Sequence, residues 1–255
     1  MNYNIRFVLI FVTAAALLGG CSGSRDTDDE TQQRRAKLHY QIGLDALQKN
    51  QLPKAFEELM LAEKIDPEMP EALDTLGYAW RLRGNQKKSE EYYKRAIRAG
   101  SGSISHTNYG SLLIEMKRYA EAKENLEKAL KDPRYHGQFI ANVLLGDANM
   151  GLEKYEEAMD AYRQAGRLNP NQTLTRIKEA KVFIALEKPN FALALYETML
   201  REDPTNRGAL EGALELYALQ KERTLARYHL QNFISHPSVS KQDRAWATSE
   251  LVKLR

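Results

Sequence analysis

Residues 108–130 read NYGSLLIEMKRYAEAKENLEKAL, with Gly110, Ala122, Leu126 and Ala129 as its fixed points. Ala122 follows Gly110 by twelve residues, Leu126 comes four later and Ala129 three after that. This is the pattern of a helix, a short turn and a second helix. Small residues at the first two points let the helices approach closely, and the leucine fills the seam between them.

The same spacing extends in both directions. The first point recurs as Gly43, Gly77, Gly110, Gly146, Ala180 and Leu214, at intervals of 34, 33, 36, 34 and 34. The second is Ala55, Ser89, Ala122, Ala158, Ala192 and Ala226, and the third Leu59, Tyr93, Leu126, Tyr162, Tyr196 and Leu230. Ala62, Ala96, Ala129, Ala165, Met199 and Phe233 complete the series, while Pro67, Pro170 and Pro204 close three units. Pro133 and Pro237 fall one residue early in two others. Proline ends a helix because it lacks the amide proton and clashes with the preceding turn.

This periodicity resembles the tetratricopeptide repeat across residues 36 to about 238. The expected fold is all-α: a right-handed α-solenoid of six helical hairpins over 36–240, with a capping helix at 241–255. One hairpin cannot bury its own apolar face, so neighbours must stack. Two units depart from the pattern. Glu179 stands where a large apolar residue is expected in the fifth, and Leu214 and Phe233 replace small residues in the sixth. Looser or altered packing is expected there. Ser240, with Asp243 three residues on, can cap the last helix. Ala245, Trp246, Ser249 and Val252 form a face for covering the sixth hairpin.

Ahead of the repeats, Arg6 precedes an apolar run of twelve residues, Phe7–Leu18, too short to span a bilayer comfortably. It leads into Leu18-Gly19-Gly20-Cys21, which resembles a bacterial lipobox. Residues 1–20 therefore read as a lipoprotein signal peptide. Cys21, the single cysteine of the chain, reads as the site of a thioether-linked diacylglycerol. Two or more acyl chains give stable attachment where one does not. Residues 21–35 are polar without apolar periodicity and read as a lipidated flexible tether. Ser22 in place of aspartate resembles the sorting signal for the outer membrane, on its periplasmic face.

Of 255 residues, 28% are charged and mean hydropathy is −0.57, as for a soluble body. The formal charge of +3 falls to +2 without Arg6, which gives no reason to expect nucleic acid. One cysteine excludes an internal disulfide and a cysteine-based metal site. The five histidines, His39, His106, His136, His229 and His236, form no ligand motif. No phosphate loop, nucleophile elbow or metal-ligand helix pair is present. Acidic pairs such as Glu57-Glu58, Glu90-Glu91 and Glu156-Glu157 fit solvated helix faces rather than carboxylates opposed across a cleft. The reading is therefore of a non-enzyme without cofactor, metal or small-molecule substrate.

What remains is surface. In arrays of this kind the first helices line a groove. By that analogy the inward positions are Tyr40, Leu44 and Leu47, then Asp74, Tyr78, Arg81 and Leu82, then Thr107, Ser111 and Ile114. Such a mixture suits an extended or helical protein segment, with apolar anchors for affinity and polar groups for register.

Asn108-Tyr109-Gly110, Leu113, Glu115, Lys117-Arg118-Tyr119, Glu121-Ala122 and Asp132-Pro133-Arg134-Tyr135 resemble the type IV pilus pilotins, lipoproteins of six tetratricopeptide units. The resemblance implies a protein that binds the pilus secretin and promotes its localisation and multimer assembly at the outer membrane. A lipoprotein adaptor for a periplasmic protease, a cell-wall enzyme or an outer-membrane assembly factor is the alternative the residues leave open.

Overall fold

The computed structural model describes residues 23–254; Cys21 and the signal segment lie outside them. Among the described residues there are thirteen α-helices and no strand. The chain divides into two compact units, Met1–Ser101 and Gly102–Arg255. In the first, α1 (Gly23–Gln48) pairs with α2 (Leu52–Ile65) and α3 (Pro70–Leu82) with α4 (Gln86–Arg98). In the second, α5 (Ser103–Glu115) pairs with α6 (Tyr119–Ala129), and α7 (Gln138–Gly151) with α8 (Tyr155–Leu168). There follow α9 (Thr173–Ala185) with α10 (Pro189–Glu202), and α11 (Arg207–Gln220) with α12 (Arg223–Ser235). Finally α13 (Lys241–Lys253) packs on α12.

The seam follows the sequence register. A Cβ added at Gly43 would stand 2.7 Å from Leu59 Cγ; at Gly77, 2.7 Å from Tyr93 Cδ1; at Gly110, 2.8 Å from Leu126 Cγ. At Gly146 it would stand 2.3 Å from Tyr162 Cε1. Leu59, Tyr93, Leu126, Tyr162, Tyr196 and Leu230 are all at most 1% exposed. In the second hairpin the small residue Ser89 also donates its hydroxyl to Gly77 O at 2.8 Å, tying α4 to α3.

The turns share one device. Asn50, Gly84, Lys117, Glu153, Glu187 and Lys221 each lie seven residues after the first seam position, and all have positive φ, between 56° and 78°. At each, the residue itself donates three residues back and its successor five residues back, as in Asn50 N→Leu47 O (3.0 Å) and Gln51 N→Ala46 O (2.8 Å). These two hydrogen bonds satisfy carbonyls that the helix end would otherwise orphan. Only one of the six is glycine, so the other five hold the left-handed conformation at a steric cost.

Two sequence expectations change. Residues 23–35, expected as a flexible tether, are helical and continuous with the first hairpin. The segment has no apolar face, and Asp29 through Arg35 are exposed, so its support is local. Glu30 pairs with Arg34 at i, i+4, and such pairs stabilise a helix without tertiary packing. The sixth hairpin closes with large residues at two small positions: Phe233 is 1% exposed and Leu214 half-buried, both in the cluster around Leu210, Leu216 and Tyr217. Trp246 of α13 covers Phe233 edge-on at 6.0 Å, and Arg207 lies 4.5 Å over the Trp246 ring while pairing with Asp243. The Ser240 hydroxyl caps α13 by accepting from Asp243 N at 3.1 Å.

Candidate functional site

Seven of the ten expected groove residues fall in the first unit, on α1 and α3, which touch one another. Tyr78 and Leu82, one helical turn apart on α3, are exposed at 39% and 52%. The Arg81 guanidinium lies 5.7 Å from the Tyr78 ring centroid, within cation–π range. Tyr40, Leu44 and Leu47 of α1 are half-buried. Tyr40 and Leu47 pack on the cluster of Ala46, Ala55, Phe56, Leu59, Leu76 and Ala79. Burial raises the Tyr40 phenol above its ordinary value, although a hydrogen bond with Thr75 opposes the rise. The outcome is a surface whose exposed part is Tyr78 and Leu82, backed by half-buried α1 side chains.

Asp74 does not belong to that surface. It is 9% exposed and sits with Arg81 near the Tyr93 hydroxyl, which burial, and then the Asp74 charge, hold well above the usual phenol range. Three positions before the seam glycine, α3 faces its own hairpin partner, so the carboxylate serves the interior.

The remaining three lie in the second unit. Thr107 is 3% exposed and donates to Ser103 O at 2.9 Å within its own helix, so it too is interior. Ser111 and Ile114 are half-buried. More exposed are three residues that the groove analogy missed. Ile104, Ile140 and Leu174 stand at 56%, 50% and 39%, one on each of α5, α7 and α9. Each lies six residues before its seam position, Gly110, Gly146 or Ala180. The equivalent residues elsewhere are Lys37, Glu71 and Gly208. Comparing the six units at this one position would have revealed the aliphatic stripe.

Next to the stripe's register sits a polar junction. Asp147 Oδ1 accepts from the Tyr162 hydroxyl and from Lys178 Nζ, each at 2.6 Å, joining α7, α8 and α9. Burial and this carboxylate together push the Tyr162 phenol far up. Such a junction ties neighbouring hairpins together through one carboxylate. Among the described residues no group of three or more His, Cys, Asp or Glu side chains could hold a metal ion. No helix among them is long and apolar enough to cross a membrane.

The geometry agrees with comparisons to known proteins. The tetratricopeptide repeat family matches residues 110–173. The type IV pilus assembly protein PilF of Pseudomonas aeruginosa is 27% identical over 233 residues, which cover 89% of this chain and 92% of that protein. A solved structure from the functional characterisation of Pseudomonas aeruginosa pilF superposes with a TM-score of 0.68 at 23% identity, covering 86% of this chain and 99% of that one. The crystal structure of PilW, described as a widely conserved type IV pilus biogenesis factor, gives 0.72 at 16% identity, covering 83% and 97%. The chain has the all-α tetratricopeptide-repeat fold, and its sequence is similar to that of the type IV pilus assembly protein PilF over 89% of its length.

Proposed function

We propose that the protein is an outer-membrane lipoprotein that escorts the type IV pilus secretin and promotes its assembly into multimers. The observation that carries this reading is the alignment to a pilus assembly protein across 89% of the chain, far more than one generic repeat. Diacylglycerol on Cys21 holds the protein at the periplasmic face of the outer membrane. First-helix side chains, led by Tyr78 and Leu82, take a segment of a secretin subunit. Two exposed apolar residues one turn apart supply anchors, and Arg81 beside them supplies register. The protein acts by binding alone, and no bond is made or broken.

The test is capture of secretin by the purified lipoprotein, with Tyr78→Ala/Leu82→Ala as the variant. The double variant should lose at least tenfold in affinity while its circular dichroism stays native, because two exposed side chains contribute little to the fold. Undiminished capture would move the binding surface elsewhere. In cells, deletion should remove secretin multimers from the outer membrane, and Cys21→Ala should end lipid labelling. Multimers at normal level in the deletion strain would refute the assembly role.

A further inference from the structure

In the first four hairpins the outer face of the second helix is charged at two fixed positions, one residue before the small seam residue and two after it. These are Lys54 and Glu57, Lys88 and Glu91, Glu121 and Glu124, Glu157 and Asp160, all exposed. In the last two hairpins the same positions hold Phe191 and Ala194, then Leu225 and Tyr228. The burial pattern has not changed with the chemistry. Phe191 is 62% exposed, Leu225 39% and Tyr228 57%. Being three residues apart on one helix, each pair shares a face.

A fifth residue joins them. Leu219, at the end of α11, is 78% exposed. Gln220 Nε2, next to Leu219 in the chain, donates to Asn190 Oδ1, next to Phe191, at 3.0 Å, which brings the end of α11 against the start of α10. The Phe191 ring is held by stacking on Phe183 at 5.6 Å. The core does not require these large side chains outside, since four sibling units fill the positions with ions.

The surrounding charge is cationic. Lys188, Lys221 and Arg223 occupy the two hairpin turns, and none forms an ion pair among the described residues. Arg227, the neighbour of Tyr228, donates to the Leu254 carbonyl and pairs with no carboxylate among the described residues. Glu187 and Glu222 are the acids of the same turns, which leaves four cations against two anions. Protruding aromatic and aliphatic groups ringed by cations match a bilayer interface with anionic lipids, where the apolar tips enter the headgroup boundary and the cations meet phosphates.

We propose that this ridge on α10, α11 and α12 docks the C-terminal unit onto the anionic surface of a lipid bilayer. It is a second membrane contact, separate from the anchor at the other end of the chain, and it does not depend on secretin capture. The experiment places an environment-sensitive fluorescent amino acid at position 219 of the full chain and adds vesicles. With phosphatidylglycerol/phosphatidylethanolamine vesicles the emission should shift to the blue; with phosphatidylcholine alone it should stay aqueous. Lys188→Gln/Lys221→Gln should lower the vesicle partition constant roughly 30-fold, the loss expected for removing two cations near an anionic surface. Unshifted emission on the anionic vesicles would overturn the proposal. So would an equal shift on both vesicle types, or a vesicle-independent shift that grows with protein concentration, which would assign the ridge to a second copy. Secretin capture uses no vesicle and leaves Lys188 and Lys221 unchanged, so its outcome is read separately.

Discussion

Gly146→Ala is expected to destabilise the protein although alanine is the better helix former. The new Cβ would stand 2.3 Å from Tyr162 Cε1 and 2.5 Å from Cδ1. Ordinary carbon contacts lie near 3.5–4.0 Å, so α7 and α8 must separate by roughly 1 Å or the ring must move. The ring is 1% exposed, and its hydroxyl is tied to Asp147, which is held in turn by Lys178. Overpacking of this kind costs about 1–3 kcal/mol, and the gain in helix propensity offsets about 0.5–1 kcal/mol. The net loss is about 1–2 kcal/mol, or about 2–8 °C in Tm for a chain of this size.

Gly166→Ala in the same hairpin is the control. Its Cβ would meet only the Thr175 side chain, Oγ1 at 3.4 Å and Cβ at 3.9 Å, so the helix-propensity gain stands alone and the protein should become more stable by about 0.5–1 kcal/mol. Hydrogen exchange resolved to α7 and α8 is the appropriate assay, because stability in a repeat array is the sum of local terms. Faster exchange in Gly146→Ala and slower exchange in Gly166→Ala are expected. If both substitutions stabilise, the close approach at the seam is not a constraint and the explanation of the repeat's small residues fails. The fifth hairpin shows how the conflict is avoided: opposite Ala180, the Tyr196 ring lies against Gly212 of the next hairpin instead.

Three further expectations follow from single observations. Gly84→Ala places a β-carbon at φ +78° and should cost about 1–2 kcal/mol in urea unfolding, whereas replacing an exposed helical residue such as Lys87 with alanine should change little. Burial raises the Glu179 pKa despite Arg163 and Arg176 nearby. A raised carboxylate pKa means the folded state holds its proton more tightly, so the stabilising contribution is present at acid pH and is lost as pH rises through the folded value. Glu179→Leu should therefore raise Tm at pH 7, with a smaller gain at pH 4; an equal gain at both would remove the role of charge. His229, stacked on Tyr217 at 5.8 Å, has its pKa lowered by burial. The unfolded chain then binds the proton more readily, so stability should fall as pH drops below about 6.5. His229→Gln should flatten that part of the profile in a thermal melt series.

The repeat register was legible in the sequence because it is a local constraint. Gly77 and Tyr93 lie sixteen residues apart in one hairpin, and a close helix crossing admits only a small residue on one side. Periodicity alone therefore fixed the seam, the turns and the order of helices. The helical segment 29–35 carries one i, i+4 pair, Glu30–Arg34, and no apolar signal to announce it, so the same polar composition read as a tether.

Exposure was decided only in three dimensions. Asp74 and Tyr78 stand four residues apart on α3, yet one is buried and the other open. The difference depends on which side chains of the facing helix reach each of them. Ile104, Ile140 and Leu174 look like core residues when each hairpin is read by itself and stand in solvent in the structure. A period tells which residues share a face; how much of that face the neighbours cover depends on side-chain volumes brought together from distant parts of the chain.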